Sequence, residues 1–382
     1  GWLQLLFFLL LWGLLASVPK KAKQVFIYIF VNYWIKAPIY FVLIFLFAIF
    51  IRVFFFEIYN IPSGSMKNTL LPGDVVVVNK LVYGPDLPQS LEKVPWLNIF
   101  YTTPDDKSAN TVKRLKGFDK VGYNDIIVFD HPSESSVYVK RCVGLPGDSL
   151  KLSGEHLFVN NKLMNNPNGL LHKYWIYSHN QFKKIRKKIT RYNVGFIHTS
   201  DSMMIAIMPE KAKKKLEQSS VVDSVKLLTS ELEKYYYKRF NQNNHSLIKY
   251  KRSNSHFLAK ANDKDKWQEF NFGPVYIPAK GETIQLTSHN ISLYKEVIEK
   301  HEQHTVQEKN GKVYIDEKKQ DRYQFEKNYY FMLGDNRSNS LDSRIWGFVP
   351  KGHLIGKATL VLFSRAGGKW IKWDRFFKPL NN

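Results

Sequence analysis

From Ile39 to Phe56 the chain runs for 18 residues with Arg52 as its only charge. A segment apolar on every side has no face to turn to water, so it folds as a helix with its whole circumference in apolar surroundings. At about 1.5 Å per residue it is just long enough to cross a bilayer with little tilt. Trp2 to Val18 is a second such run, of 17 residues without a charge. Both are expected as transmembrane helices (2–18 and 39–56), making residues 1–56 a membrane anchor. A cleaved signal peptide is the other account of 2–18, which is short and ends in small residues. The connecting loop carries Lys20, Lys21, Lys23 and Lys36, with Tyr33 and Trp34 as interfacial aromatics. Positive residues in short loops stay cytoplasmic, so everything beyond Phe56 is expected outside the cytoplasm. Arg52 lies one turn from its segment's end, where snorkelling accounts for it, and it is given no role.

The run IPSGSMKNTLLPGD, residues 61 to 74, places Ser65 nine residues beyond Phe56. Even fully extended, that tether reaches no more than about 30 Å, so Ser65 works close to the membrane surface. A protonated serine is a weak nucleophile, and a base must come to it from elsewhere in the chain.

The chain has 382 residues, 56 Lys and Arg against 33 Asp and Glu, and a formal net charge of +23. That excess suits nucleic acid and anionic lipid equally and chooses neither. A single cysteine, Cys142, excludes an intrachain disulfide and any multi-cysteine metal site.

Beyond Ser65, short apolar runs alternate with turn residues, and the expected fold is mostly β. Strands are expected at 75–78, 126–129, 137–139, 153–159, 275–278, 283–286, 312–315, 329–333 and 354–364. Val75 to Val78 is a continuous apolar run and is expected to be buried on both faces. Residues 165–270 turn rich in Lys, Asn, Ser and Tyr, with helical patterns over 209–218 and 221–240. They read as an inserted α/β subdomain between two parts of a catalytic β domain, 57–164 and 271–382. Its cluster of Lys183, Lys184, Arg186, Lys187, Lys188 and Arg191 fits acidic headgroups or nucleic acid, but a solvated basic face is the simpler account. At the C-terminus, Trp370, Trp373, Phe376 and Phe377 interleave with Lys369, Lys372, Arg375 and Lys378. That pattern fits a membrane interface and, as well, a terminal element packed on the core.

The candidate base is Lys140, in YVKRCVGLPGD, residues 138–148. A lysine accepts a proton near neutrality only when desolvation lowers its pKa, and Val139, Cys142, Val143 and Leu145 can supply that surround. Strand alternation puts Tyr138 and Lys140 on one face and Val139 on the other. A lysine so flanked is in isolation more often an edge-strand charge. A third run, GDNRSNSLDSRIWGFVP at 334–350, is dense in turn-forming polar residues: Asp335, Asn336, Asn339, Ser340 and Asp342. Ser340 can hold an amine, and Asp342 can pair with Arg344 to brace the loop.

These three runs, in this order and behind a membrane segment, resemble the signature boxes of bacterial type I signal peptidase (leader peptidase), a membrane Ser-Lys protease. The resemblance covers roughly residues 38–148 and 272–364. It implies the signal peptidase and self-cleaving-repressor β fold and a serine endopeptidase of the bacterial cytoplasmic membrane, multi-pass, with its catalytic domain on the outer side. Its implied reaction is removal of signal peptides from exported preproteins after small residues of the Ala-x-Ala type. It makes Ser65 the nucleophile and Lys140 the general base, with Ser63 and the Ser65 N–H as oxyanion hole. Ser340 becomes the residue orienting the lysine amine; Asp335, Asp342 and Arg344 become structural support. Ile61, Met66, Leu70, Tyr138 and Val139 fall where the family's substrate pockets have walls, though core packing alone also explains them. No metal or organic cofactor is implied. Signal peptides and membrane lipid are the implied partners, nucleic acid is not one, and the export machinery is left open. The chain departs from the family at Asn68, where proline is usual, and at Tyr123-Asn124-Asp125, where Arg-Gly-Asp is common.

Other classes fit less well. A self-cleaving repressor would carry a helix-turn-helix ahead of Ser65, where none is found. A non-enzymatic basic scaffold gives no reason for the three runs. No GxSxG elbow supports a Ser-His-Asp hydrolase, and His301-Glu302-Gln303-His304 lacks the HExxH spacing of a metallopeptidase.

Overall fold

In a computed structural model of the chain, the residues described are 31–88, 113–167, 169–179, 181–189, 195–198, 202–229, 257–260, 267–368 and 370–380, with single positions elsewhere. The expected segment 2–18 and residues 230–240 of the helix expected over 221–240 lie outside them, as does Arg191. The chain divides into two units, residues 1–55 with 88–104, and residues 56–87 with 105–382.

In the first unit, helix α1 (Ala37–Phe54) has a mean hydropathy of 2.5 and is long enough to cross a membrane. Among the described residues it is the one such helix, where two were expected. Phe41, Ile44 and Phe47 stand exposed around it. A helix so apolar and so uncovered has the character of a lipid-facing span. It stops earlier than the expected end at 56, because Phe56 already belongs to a strand.

The second unit is mostly β. Its main sheet contains β1 (Phe56–Asn60), β2 (Asp74–Asn79), β3 (Ile126–Asp130), β4 (Val137–Gly144), β18 (Tyr329–Leu333), β19 (Val349–Pro350) and β20 (Leu354–Ser364), in the order β1-β2-β20-β3-β4-β18-β19. The short β21 (Lys378–Pro379) pairs with β20. β3 is buried on both faces, as β18 is: Ile126 and Val128 pack with Met66, Leu70 and Val76, while Ile127 and Phe129 pack with Cys142, Met332 and Leu354. β2, for which that burial was expected, alternates instead: Val76 and Val78 are buried, Val75 and Val77 half-exposed. Position in the sheet decides between them, since both runs are wholly apolar.

A second barrier of strands, β12-β5-β6-β7, comprises β5 (Ser149–Ser153), β6 (His156–Val159), β7 (Lys162–Leu163) and β12 (Asn271–Tyr276). The expected single strand 153–159 is thus two strands, broken where Gly154 takes φ +60°. Leu150, Leu152, Phe272 and Val275 pack with Phe331 and Phe348 in the largest core cluster. Beside it lie the pair β13 (Thr283–Gln285) with β17 (Arg322–Gln324), the ribbon β14 (Val306–Lys309), β15 (Lys312–Ile315) and β16 (Lys318–Lys319), and helix α4 (Ile291–Glu296).

Residues 171–227 make a separate sheet. β8 (Leu171–Tyr177), α2 (Phe182–Ile189), β9 (Gly195–His198), β10 (Met203–Pro209), α3 (Glu210–Glu217) and β11 (Ser224–Leu227) follow one another as β-α-β-β-α-β, with strand order β11-β8-β10-β9 and every pairing antiparallel. This is the ferredoxin-like arrangement. Ile185 and Ile189 of α2 and Ala212 and Leu216 of α3 cover one face, on Tyr174, Ile176, Met204 and Met208. Lys183, Lys184, Arg186 and Lys187 face outward from α2, as a solvated basic face would. The helix expected from 221 onward is overturned over 224–227, where β11 pairs with the edge of β8. Alternating Val225 and Leu227 serve a sheet edge.

Candidate active site

The segment after β1 is closed into a loop before any catalytic chemistry is asked of it. Ile61 N–H donates to Asp74 O at 2.8 Å and Gly73 N–H to Ile61 O at 2.8 Å, sealing its mouth on β2. Inside, Lys67 N–H donates to Gly64 O and Leu70 N–H to Met66 O, forming tight turns. Met66 and Leu70 are buried in the core and pin the turn from below, so their neighbour Ser65 is left half-exposed. Arg375, from the aromatic C-terminal stretch, is buried and grips the Asp74 carboxylate with two nitrogens. Trp370, Trp373, Phe376 and Phe377 of the same stretch are exposed.

Lys140 lies on β4 opposite Ile127 and is 2% exposed. Its Nζ donates to Ser65 Oγ at 2.8 Å and to Val139 O at 3.0 Å. The amine also stands 5.1 Å from the centre of the Tyr138 ring, on the face that alternation assigned to both. Burial pushes its pKa down to about 8, against the opposing pull of the Asp342 and Asp335 carboxylates. An amine at that value is in good part neutral at mildly alkaline pH.

The third run wraps beneath this pair. Asn336 N–H donates to Ser65 O at 2.9 Å, and its side-chain amide to Gly64 O at 3.0 Å. Gly334 lets the two runs meet closely: a Cβ there would lie 2.7 Å from Ser65 O and 2.1 Å from Ser340 Oγ. Asp342 accepts from Gly334 N–H and from two nitrogens of Arg344, at 2.8 and 2.7 Å. Burial raises the Asp342 carboxyl, but the Arg344 guanidinium outweighs it and holds the group below its ordinary value.

Of the expected site residues, Ser65, Lys140 and Ser63 are gathered together, the last with Oγ 3.3 Å from Ser65 Oγ and exposed. Ser340 is close by, yet its hydroxyl donates to Leu341 O at 3.3 Å, and the lysine's partners are Ser65 and Val139. Ile61, Met66 and Leu70 belong to the buried cluster with Val76 and Val78, with Val139 packed against it. Tyr138 retains surface and stacks among His131 and Trp346. Asp335 has a partner that sequence reasoning missed. Arg141 pairs with it through two nitrogens at 2.8 and 2.7 Å, both residues almost fully buried, and also donates to Asn124 O. Alternation on β4 offered a clue, since it turns Arg141 to the opposite face from Lys140. Thr69 was missed as well; its hydroxyl donates to Asp335 from the serine's own turn.

Among the described residues, no group of three or more His, Cys, Asp or Glu is placed to hold a metal ion.

A family model described as signal peptidase, peptidase S26, matches residues 32–194 and 277–363. The signal peptidase I of Buchnera aphidicola subsp. Baizongia pistaciae is 28% identical over 366 residues, covering 94% of this chain and 88% of the relative. That of Helicobacter pylori J99 is 28% identical over 369 residues, 93% of each chain. That of Pseudomonas aeruginosa is 34% identical over 154 residues, 38% of this chain and 47% of the relative. The solved signal peptidase I of Enterococcus faecalis V583 aligns at 16% identity over 63% of this chain and 98% of its own, with a TM-score of 0.22.

Proposed function

The chain belongs to the signal peptidase family, peptidase S26, and from that premise we propose that it is a serine endopeptidase that removes signal peptides from preproteins, with Ser65 as nucleophile and Lys140 as base. The observation that carries the dyad is the 2.8 Å hydrogen bond between Lys140 Nζ and Ser65 Oγ, made by an amine whose pKa burial has pushed down to about 8.

The neutral Lys140 amine takes the Ser65 proton as Oγ attacks the scissile carbonyl. The Ser65 N–H and the Ser63 hydroxyl hold the oxyanion, at a worth of roughly 3 kcal/mol for such a donor. The ammonium then protonates the leaving amine, and the mature protein departs with a free N-terminus. Lys140 next takes a proton from water, which attacks the acyl-enzyme carbonyl; as the C–Oγ bond breaks, the ammonium returns that proton to Ser65 Oγ and the signal peptide leaves with a free carboxylate. Ser340, beside Asp342, keeps the polar floor under Lys140 in place rather than holding the amine itself. Asp335, Asp342 and Arg344 brace that floor. Tyr138 and Val139, which retain surface, line the pocket for small residues, with Ile61, Met66 and Leu70 behind them. The reaction needs no cofactor.

Ser65→Ala is expected to lower the rate of preprotein cleavage by the full chain in detergent by at least about 10⁴-fold with its fold intact. Full activity in that variant would sink the assignment.

The fold we assign is that of signal peptidases and self-cleaving repressors, on two N-terminal transmembrane helices, residues 2–18 and α1 (Ala37–Phe54), with residues 165–270 as a subdomain inserted into the catalytic domain. Lys20, Lys21, Lys23 and Lys36 keep the connecting loop in the cytoplasm, which sets the catalytic domain on the outer side of the cytoplasmic membrane. Signal peptides thus reach it at the lipid surface. A single cysteine engineered at exposed Lys162 is expected to react with a membrane-impermeant thiol reagent from the outer side, Cys142 being buried. Labelling only from the cytoplasmic side would reverse the orientation.

A further inference from the structure

We infer that the ferredoxin-like sheet of residues 171–227 positions the nucleophile's turn, and that Asn68 is the positioning residue through which it does so. The inference rests on the reading of Ser65 as nucleophile. Two links join this sheet to the turn. The first runs beneath it: Leu171, at the start of β8, forms a parallel bridge with Asn336, its N–H donating to Asp335 O and its O accepting from Arg337 N–H, each at 2.8 Å. Lys173 N–H adds a bond to Ser338 Oγ at 2.9 Å. Asn336 is the residue whose backbone and side-chain amides hold Ser65 O and Gly64 O.

The second link is lateral and depends on one side chain. Asn68, three residues after Ser65, donates its amide to Gly169 O at 2.9 Å, just ahead of β8. Asn68 has φ +87°, a conformation that asparagine tolerates better than most residues. Gly169 has φ +104°, and a Cβ there would lie 2.8 Å from the Asn68 nitrogen. Both ends are therefore shaped for this contact: one residue reaches, and the other lacks the atom that would block it. A cleft of about 410 Å³ flanks the bond, lined by Asn68, Gly169, Leu170, His172, Pro209 at the end of β10 and Glu210 at the start of α3. Little close packing surrounds the link, so the hydrogen bond itself fixes this side of the turn.

With the turn held below by Asn336 and laterally by Asn68, Ser65 Oγ is kept within hydrogen-bond range of a lysine that belongs to another strand. Displacement of a reacting group by about 1 Å can cost up to a hundredfold in rate. Asn68→Gly retains the positive φ without strain and removes only the tether. In the full chain its kcat for a preprotein is expected to fall roughly tenfold, with KM within about twofold and the thermal unfolding midpoint within about 2 °C. Gly169→Ala should lower kcat from the other end of the same bond, and the double variant should be no slower than the slower single, since both cut one link. Unchanged kcat in Asn68→Gly, losses that multiply in the double variant, or a loss of rate matched by a loss of folded protein would each overturn the inference. Ser65→Ala separates the two levels of the reading. An inactive Ser65→Ala beside a fully active Asn68→Gly refutes the tether alone, whereas an active Ser65→Ala refutes the nucleophile itself.

Discussion

Lys140→Ala is expected to abolish preprotein cleavage, lowering kcat by about 10⁴-fold or more, and Lys140→Arg is expected to do so as well. Positioned bases contribute about 10² to 10⁴, and members of a catalytic unit fail together, so the Ser65→Ala, Lys140→Ala double variant should be little slower than either single. The arginine variant separates charge from base, because a guanidinium stays protonated and cannot accept the serine's proton. In the intact enzyme the acid limb of kcat/KM should fall near pH 8, the value to which burial brings Lys140, with activity lost as pH drops and the amine is protonated. A pH-independent rate between 6 and 9 would contradict the assignment.

The same burial makes Lys140 a cost to stability, with a definite sign. Its pKa is about 8 in the fold against an ordinary 10.5, so between those values the unfolded chain holds the extra proton and stability rises with pH. Below about 8 both states are protonated, and the fold carries a buried cation at a constant penalty of about 3 kcal/mol. Lys140→Met should therefore be inactive yet more stable at pH 7, with the advantage fading toward pH 10.5. Equal destabilisation at both pH values would mean that the amine is held for its hydrogen bonds rather than tolerated for its chemistry.

Arg141→Ala and Asp335→Ala should each lower unfolding stability by about 3–5 kcal/mol, read from denaturant midpoints. Arg141 and Asp335 are 2% and 1% exposed and meet through two hydrogen bonds, and removal of either leaves a buried charge without its partner. Arg141→Met with Asp335→Leu removes both charges and fills the space, so it should cost less than either single change. Activity should still fall in that double variant, because Asp335 also receives the Thr69 hydroxyl from the serine's turn. A single variant that costs less than about 1 kcal/mol would show the pair to be solvated.

The extent to which this protein could be read from its sequence varies with the range of the forces involved. The strands 312–315, 329–333 and 354–364 stand where their apolar patterns and flanking turn residues put them, since both signals act over a few residues. The apolar segment around residues 39–54 was equally plain, because a helix with no polar face leaves few options. β11 was mistaken for helix, as an edge strand owes its state to the strand it joins, here β8 some 50 positions earlier.

At the site, Ser65, Lys140 and the 334–350 run announced themselves as local patterns, and so did the residue types that a Ser-Lys protease requires. Which neighbour of Lys140 carries a partner did not. Arg141 looked like one more cation in a basic chain until the β4–β18 pairing brought Asp335 to it from 194 positions away. Ser340 was read as holding the lysine, while its hydroxyl turns to its own loop. Asn68 was visible only as a departure from a family pattern; its bond to Gly169 exists because a second sheet folds against the turn. The sequence alone thus determined the chemistry on offer and the membrane segment beside it, because side-chain type and hydropathy are properties of the chain itself. Tertiary structure decided the pKa of Lys140, the partner of Arg141 and the tether of Ser65, because burial and hydrogen bonding across hundreds of residues exist only once the strands have paired.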